Sequence, residues 1–334
     1  MKLSSMGDVV HTLPAVSDAI ANAPPISIDW ACEEGFDAIA RMHPGVHEVM
    51  TVPLRRWRRQ RREGLSGLSA LRSRLRSRHY DLVIDAQGLV KSAFVAWLAG
   101  GPRAGFDAAS AREPFAAKFY GTRINVSRER HAVARIRALF AGALGYDEPQ
   151  TPPQFGLPGG QARTEDRRVF FVHGTTWPSK HWPEAFWSEL VGIAIRTGFT
   201  VLLPHGNDEE QGRAERLARE RAGVVVLPRG GIDALYGEII RCAGVVSVDS
   251  GLGHLAAASG VPVIGLYGAT DPRLTGLVGK DVLDLHEDRL PCVPCLRRDC
   301  AFRQGSVAVH PPCFEDVTPE RVWATLSARM SVRN

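Results

Sequence analysis

The chain contains no apolar run near the ~18 residues that a membrane-spanning helix needs, which argues against an integral membrane helix. Met1 to Ala15 shows no basic leader followed by an apolar core and a small-residue cleavage site, so the expected compartment is the cytoplasm. In a chain without an export signal, six cysteines read as reduced thiols or metal ligands rather than as a disulfide framework. No short repeat or low-complexity tract appears outside one arginine-rich segment, and no recognised nucleic-acid module is present, so nucleic acid is not an expected partner. A composition of 44% apolar and 23% charged residues excludes whole-chain disorder and a fibrous protein.

What is present is enough chain for two cores. The 334 residues exceed the usual span of one domain, about 100 to 200 residues. Extended apolar runs at 26–31, 46–52 and 82–85 alternate with helical spacing at 9–21, 65–75, 91–99 and 132–144. The stretch "GYDEPQTPPQFGLPGG", rich in proline and glycine, then breaks the pattern and reads as a linker. Alternation resumes with strands predicted at 169–172, 200–203, 224–227, 245–248 and 261–266, and helices at 183–196, 209–221 and 232–241. Repeated strand–helix–strand units imply an α/β protein with parallel sheets, two Rossmann-like domains spanning residues 1–150 and 151–334. Ligands in such sheets bind beyond the carboxyl ends of strands, which directs attention to the loops there.

One such loop is "VVSVDSGLGHLAAASG", where an apolar strand runs into Asp249-Ser250-Gly251 and a helix opens near His254. Glycine permits close backbone approach, and the helix offers free amides and a favourable dipole for phosphate. The bland alternative is a turn that needs glycine for geometry. The same residues also satisfy G-x-G-x-x-A, with Asp271 downstream, which leaves a nicotinamide-dependent oxidoreductase as a rival reading. A second loop, "VHGTTWPSKHWP", places Thr175, Thr176 and Lys180 after a strand, two hydroxyls and a compact cation suited to phosphate. In a third, Glu210 suits ribose hydroxyls or merely complements a helix dipole.

In the first half, Asp8 follows Gly7 at the start of a helix, where capping is the commonest role. Asp85 ends a strand and either supports the fold or lines the site. The net charge of +5 is modest, but arginine concentrates between Arg55 and Arg78, and "RRWRRQRR" on one loop suits a phosphorylated small molecule or an anionic headgroup. Cys292, Cys295, Cys300 and Cys313 give C-x2-C-x4-C-x12-C, which leaves open a tetrahedral structural zinc or free thiols in a loop.

Several motifs in order, "SSMGDVVHTLPA", "RRWRR", "YDLVIDAQGLVKSA", "AREPFA", "KHWPE" and "VSVDSGLGHLAAA" followed by "YGATDP", resemble those of the lipopolysaccharide heptosyltransferases, the first-step type more than the second. The resemblance implies a GT-B glycosyltransferase with facing domains and a last helix, "TPERVWATLSARM", that returns to the first domain. It implies transfer of heptose, with inversion, from ADP-L-glycero-D-manno-heptose to the inner Kdo of Kdo-lipid A, with no catalytic cofactor, at the cytoplasmic face of an anionic inner membrane.

By that resemblance Asp8 is the base, kept ionised by its helix-N-terminal position and therefore weak. Thr175, Thr176, Lys180, Asp249, Ser250, Gly251 and His254 hold the donor diphosphate, and Glu210 the ribose. Ser4, Arg55, Arg56, Arg58, Arg59 and Arg112 hold the acceptor. Two departures stand out. Only Met1-Lys2-Leu3 precede Ser4, where the family has a full first strand, and the cysteine-rich segment is closer to second-step enzymes.

Overall fold

The computed structural model describes residues 1–159 and 167–331, with the side chains of residues 58, 59 and 61–66 outside the description. The chain divides into two compact units, Met1–Leu157 and Pro158–Asn334, and the dividing point falls inside the proline- and glycine-rich stretch.

In the first unit the order is α1 (Met6–Val10), α2 (Leu13–Asn22), β1 (Ile28–Glu33), α3 (Asp37–Arg41), β2 (Val46–Val52), α4 (Leu54–Arg59), α5 (Arg61–Leu75), β3 (Val83–Asp85), α6 (Val90–Ala99), β4 (Arg103–Phe106), β5 (Thr122–Ile124) and α7 (Ala132–Leu144). The strands form parallel sheets ordered β1-β2 and β3-β4-β5. Residues 1–3 bridge the two. Met1 donates to Ile84 O at 2.7 Å and accepts from Ala86 N at 3.0 Å, while Lys2 N donates to Ala31 O at 3.3 Å and Leu3 O accepts from Glu33 N at 3.0 Å. The short segment before Ser4 therefore sits where the central strand belongs, and Leu3 is fully buried in the core with Met50, Leu75, Val83 and Val95.

The helix expected over 9–21 is two helices, because the chain turns at His11 and Thr12 and restarts with Pro14 in the first turn of α2. The arginine run lies on α4 and α5 rather than on a loop.

The second unit contains β6 (Arg168–Val172), α8 (Glu184–Arg196), β7 (Thr200–Leu203), α9 (Asp208–Ala218), β8 (Val224–Val226), α10 (Ile232–Ile239), β9 (Gly244–Val248), α11 (Gly251–Ala258), β10 (Val263–Leu266), α12 (Pro272–Thr275), β11 (Val282–Leu285) and α13 (Pro319–Ser331). β10 begins two residues later than expected, because Pro262 has no N–H to give the ladder. All six strands are parallel in the order β8-β7-β6-β9-β10-β11. The sequence thus proceeds outward from β6 to one side, then from β9 to the other. That is the Rossmann order, with the topological switch between β6 and β9.

Both faces of this sheet are covered, which is why its strands are continuous apolar runs. Val169 and Phe171 point to the side of α8 and α13, where Trp187, Leu190 and Leu326 pack, and Phe170 and Val172 point to the other side with Ile239 and Ala256. Each buried phenylalanine contributes about 1.5–3 kcal/mol. The last helix packs on α8 and on the β9–β10 side of its own unit.

Candidate active site

The turn after residues 1–3 holds Asp8. Its Oδ2 accepts from the Ser5 amide at 2.8 Å and the Ser5 hydroxyl at 2.9 Å, so the capping role expected of such a residue is present. Its Oδ1 faces the Lys2 ammonium at 3.3 Å, and the side chain remains 37% exposed. Burial pulls the carboxyl pKa upward, but Lys2, the Ser5 donors and His11 outweigh it and hold the group down at about 2. Lys2, which the motif reading passed over, is fixed by donating to Ala86 O at 3.0 Å. It, more than the position in the helix, keeps Asp8 ionised.

Ser4 is buried beside this carboxylate and accepts from Lys91 Nζ, on α6, at 3.4 Å. Arg55 joins the same neighbourhood through Glu33: its amide donates to Glu33 Oε1 at 2.8 Å, its guanidinium lies 3.4 Å from Oε2, and Glu33 N bonds Leu3 O. The Arg55 side chain is nevertheless 63% exposed. Arg56 pairs with Glu34 at 3.2 Å, Arg112 is exposed beside Gly88, and the side chains of Arg58 and Arg59 lie outside the described residues. Asp85 is structural: it is fully buried and accepts from Tyr120 at 2.6 Å, Ser92 at 2.8 Å and Gln87 N at 2.9 Å.

In the second unit the switch between β6 and β9 brings the two glycine-bearing loops together on Asp249. Thr175 Oγ1 donates to Asp249 O at 2.9 Å, Lys180 Nζ lies 2.7 Å from Oδ2, Thr270 Oγ1 donates to Oδ2 at 2.6 Å, and His254 Nε2 lies 3.7 Å from Oδ1. Burial opposes the charge on Asp249, yet His254 and Lys180 prevail and drive its pKa well below the usual carboxylate range. Thr270 was missed in the sequence, although it lies inside the "GATDP" motif at the end of β10.

Lys180 rests over the Trp177 ring at 4.6 Å, and its 3-10 turn, Pro178–Lys180, is anchored where Ser179 Oγ donates to Arg297 O at 2.6 Å. Thr176 is exposed at the lip of the loop. Ser250 caps α11 by accepting from Gly253 N at 3.1 Å, directly after Asp249, the residue that pairs with Lys180. Glu210 binds Gly206 N at 2.7 Å, and a Cβ on Gly174 would meet its carboxyl carbon at 2.5 Å, so the glycine lets the carboxylate close over the loop that carries Thr175.

Of the residues inferred from sequence for the donor, Thr175, Lys180 and His254 meet on Asp249, and Glu210 lies against Gly174 of the same loop as Thr175. Asp271, the acid that the oxidoreductase reading needs, instead caps α12 and pairs with Arg273 at 2.8 Å, so it does not take the ribose role. All six cysteines are free thiols. Cys292, Cys295, Cys300 and Cys313 line one cavity of about 320 Å³, and burial, then the neighbouring thiols, push Cys313 up to about 12. Among the described residues, no three cysteine, histidine or acidic side chains stand together at metal-binding separation.

Residues 68–305 match glycosyltransferase family 9 (heptosyltransferase). The chain is 42% identical to lipopolysaccharide heptosyltransferase 1 of Pseudomonas aeruginosa, over 99% of this chain and 97% of that one. Its structure is similar to that of Escherichia coli heptosyltransferase WaaC with ADP, with TM-score 0.79 and 42% identity over 85% of this chain and 91% of that one. The same holds for WaaC with ADP-2-deoxy-2-fluoro heptose, with TM-score 0.79 and 41% identity over 86% of this chain and 92% of that one. Two Rossmann-like units of the GT-B type, and this likeness over nearly the whole chain, lead to one conclusion: the chain belongs to glycosyltransferase family 9 and is a heptosyltransferase.

Proposed function

We propose that the chain catalyses the first heptose addition to the lipopolysaccharide core, from ADP-heptose to the Kdo of Kdo-lipid A, with inversion. The relative of this type matches nearly the whole chain, which outweighs the second-step flavour of the cysteine segment. The observation that carries the reading is the convergence of Lys180, Thr175 and Thr270 on Asp249 beside the first turn of α11, a preformed seat for a leaving diphosphate. We assign Glu210 to the ribose, and Arg55, Arg56, Arg58, Arg59, Arg112 and Ser4 to the acceptor's phosphates and carboxylates.

In the reaction the acceptor hydroxyl oxygen bonds to the anomeric carbon as the bond from that carbon to the β-phosphate oxygen breaks. The hydroxyl proton passes to Asp8. The charge arriving on ADP is met by Lys180, the two threonine hydroxyls of the β6 loop, and the amides at Ser250 and Gly251. A carboxylate held near pKa 2 is a weak base, so proton transfer comes late, once the new bond has acidified the oxygen. We assign it to the cytoplasmic face of the membrane that holds its acceptor; among the described residues no helix is long and apolar enough to cross a membrane.

Incubation with ADP-heptose and Kdo-lipid A, followed by mass spectrometry of the lipid, tests this. A gain of one heptose with stoichiometric ADP is the expected result, and an unchanged lipid with intact donor rejects the reading.

A further inference from the structure

Helix α6 has two faces of opposite character. Ser92, Ala93, Val95, Ala96 and Leu98 are buried, whereas Lys91, Phe94 and Trp97 form an exposed stripe at helical spacing. Phe94 is 36% and Trp97 47% exposed, and their rings stack at 5.7 Å, so two large apolar side chains present a shared surface to solvent. Alongside runs the 3-10 segment Pro114–Phe119, joined to α6 through buried Ala93, Ala116 and Tyr120 and through Val90 N, which donates to Glu113 Oε2 at 2.7 Å. It adds Phe115, 55% exposed, with Lys118 Nζ 4.7 Å above its ring.

Exposed cations outnumber acids along this stretch. Lys91, Arg112, Lys118 and Arg123 are exposed. The two acids of this stretch are engaged locally, Glu113 by Val90 N and Asp107 by Ser110 N at 2.8 Å and Asn125 Nδ2 at 2.7 Å. Exposed aromatics rimmed by cations fit the boundary of an anionic bilayer, where rings enter the headgroup zone and each lysine or arginine adds attraction to the anionic surface. A protein partner chosen by charge alone would not call for the stacked tryptophan and phenylalanine.

The helix that carries the patch is also tied to the turn that holds the acid. Lys91 at the start of α6 reaches Ser4, and Phe94 and Trp97 follow it by about 4.5 and 9 Å along the axis, at about 1.5 Å per residue. We infer that the face formed by Phe94, Trp97, Phe115 and Lys118 docks on an anionic lipid surface, so that a lipid-anchored acceptor meets Asp8 without leaving the bilayer. The docking stands on the surface itself, and only its purpose rests on the transferase reading.

Flotation of the full chain with vesicles of phosphatidylethanolamine containing a minor share of phosphatidylglycerol, without any substrate, tests the docking. Wild type is expected to float, and Phe94→Ser with Trp97→Ser to lose about tenfold or more in partition. Lys118→Glu is expected to lose about fivefold on these vesicles and nothing on phosphatidylcholine. Should the double variant fail to fold, Phe115→Ser, on the neighbouring segment, carries the same expectation. Equal flotation of variants and wild type, absence of wild-type flotation, or loss of a dimer by sedimentation with no change on vesicles overturns the proposal. Turnover separates it from the transferase reading: the double variant is expected to slow transfer to vesicle-embedded acceptor while transfer to a deacylated acceptor stays at the wild-type rate. Failure of wild type on both acceptors rejects the transferase reading alone.

Discussion

Lys180 Nζ and Asp249 Oδ2 are 2.7 Å apart, with both side chains largely buried, and the pair ties the loop after β6 to the loop after β9 at the switch point of the sheet. In the proposed assignment Asp249 positions Lys180, and Lys180 binds phosphate. Lys180→Met is expected to lower kcat/KM by about 100-fold or more and weaken ADP binding. Asp249→Ala removes the buried partner and is expected to cost about 3 kcal/mol of stability in urea unfolding as well. Calorimetric ADP titration separates the two, and an unchanged affinity in Lys180→Met removes the diphosphate assignment.

Asp8→Asn is expected to lower kcat by about 10²–10⁴-fold with donor KM unchanged, because the amide fills the same space and cannot take a proton. Steady-state kinetics with both substrates decide it. Retained kcat removes Asp8 from the chemistry.

Lys2 sets the ionisation of that base. With the carboxyl pKa at about 2, activity is expected to show no Asp8 limb above about pH 4. Lys2→Met removes an interaction that lowers the pKa, so the acid limb of kcat/KM is expected to move to higher pH. A pH–rate profile in which the variant's limb stays in place contradicts the assignment.

Arg55→Ala combined with Arg56→Ala is expected to raise acceptor KM by about tenfold while leaving donor KM alone, since both side chains lie in the unit that holds Asp8 and away from the Lys180 loop in sequence and sheet. The effect on the acceptor is expected to shrink at high salt.

Asp284 carries the opposite shift, raised to about 7 by burial, which outweighs the Leu277 N–H at 3.0 Å and the His254 ring. A carboxyl whose folded pKa lies above its unfolded value binds a proton more tightly when folded. Its stabilising effect is complete below the unfolded pKa, near 3.8, and is lost as pH rises through about 7. Asp284→Asn is therefore expected to raise Tm at pH 8 by a few degrees and to change it little at about pH 4. Thermal melts at both pH values check the sign.

Much of this was visible before the structure. β2, β7 and α7 fall where periodicity puts them, because long buried runs and a capped, amphipathic helix declare themselves locally. β4, β5 and β11 did not, being three or four residues each and flanked by turn residues; partner strands, not their own pattern, define them. Thr175 and Lys180 were legible as phosphate-suited types after a strand, and Asp249 as the first residue of a glycine-bearing loop at a strand end. Lys2 and Thr270 were not, since nothing in their own neighbourhood reveals a partner that the fold supplies.

Sequence by itself determined two parallel α/β units, the linker between their patterns and the loops where chemistry would sit, because helix and strand periods and glycine placement act over a few residues. Tertiary structure alone decided which acids are usable. Asp8 and Asp85 look alike as acids near glycines at the edge of an element, yet one keeps 37% of its side chain in solvent beside Lys2 and the other is wholly enclosed by Tyr120 and Ser92. Strand order made that difference, since the groups that bury, pair or expose a carboxylate arrive from distant parts of the chain.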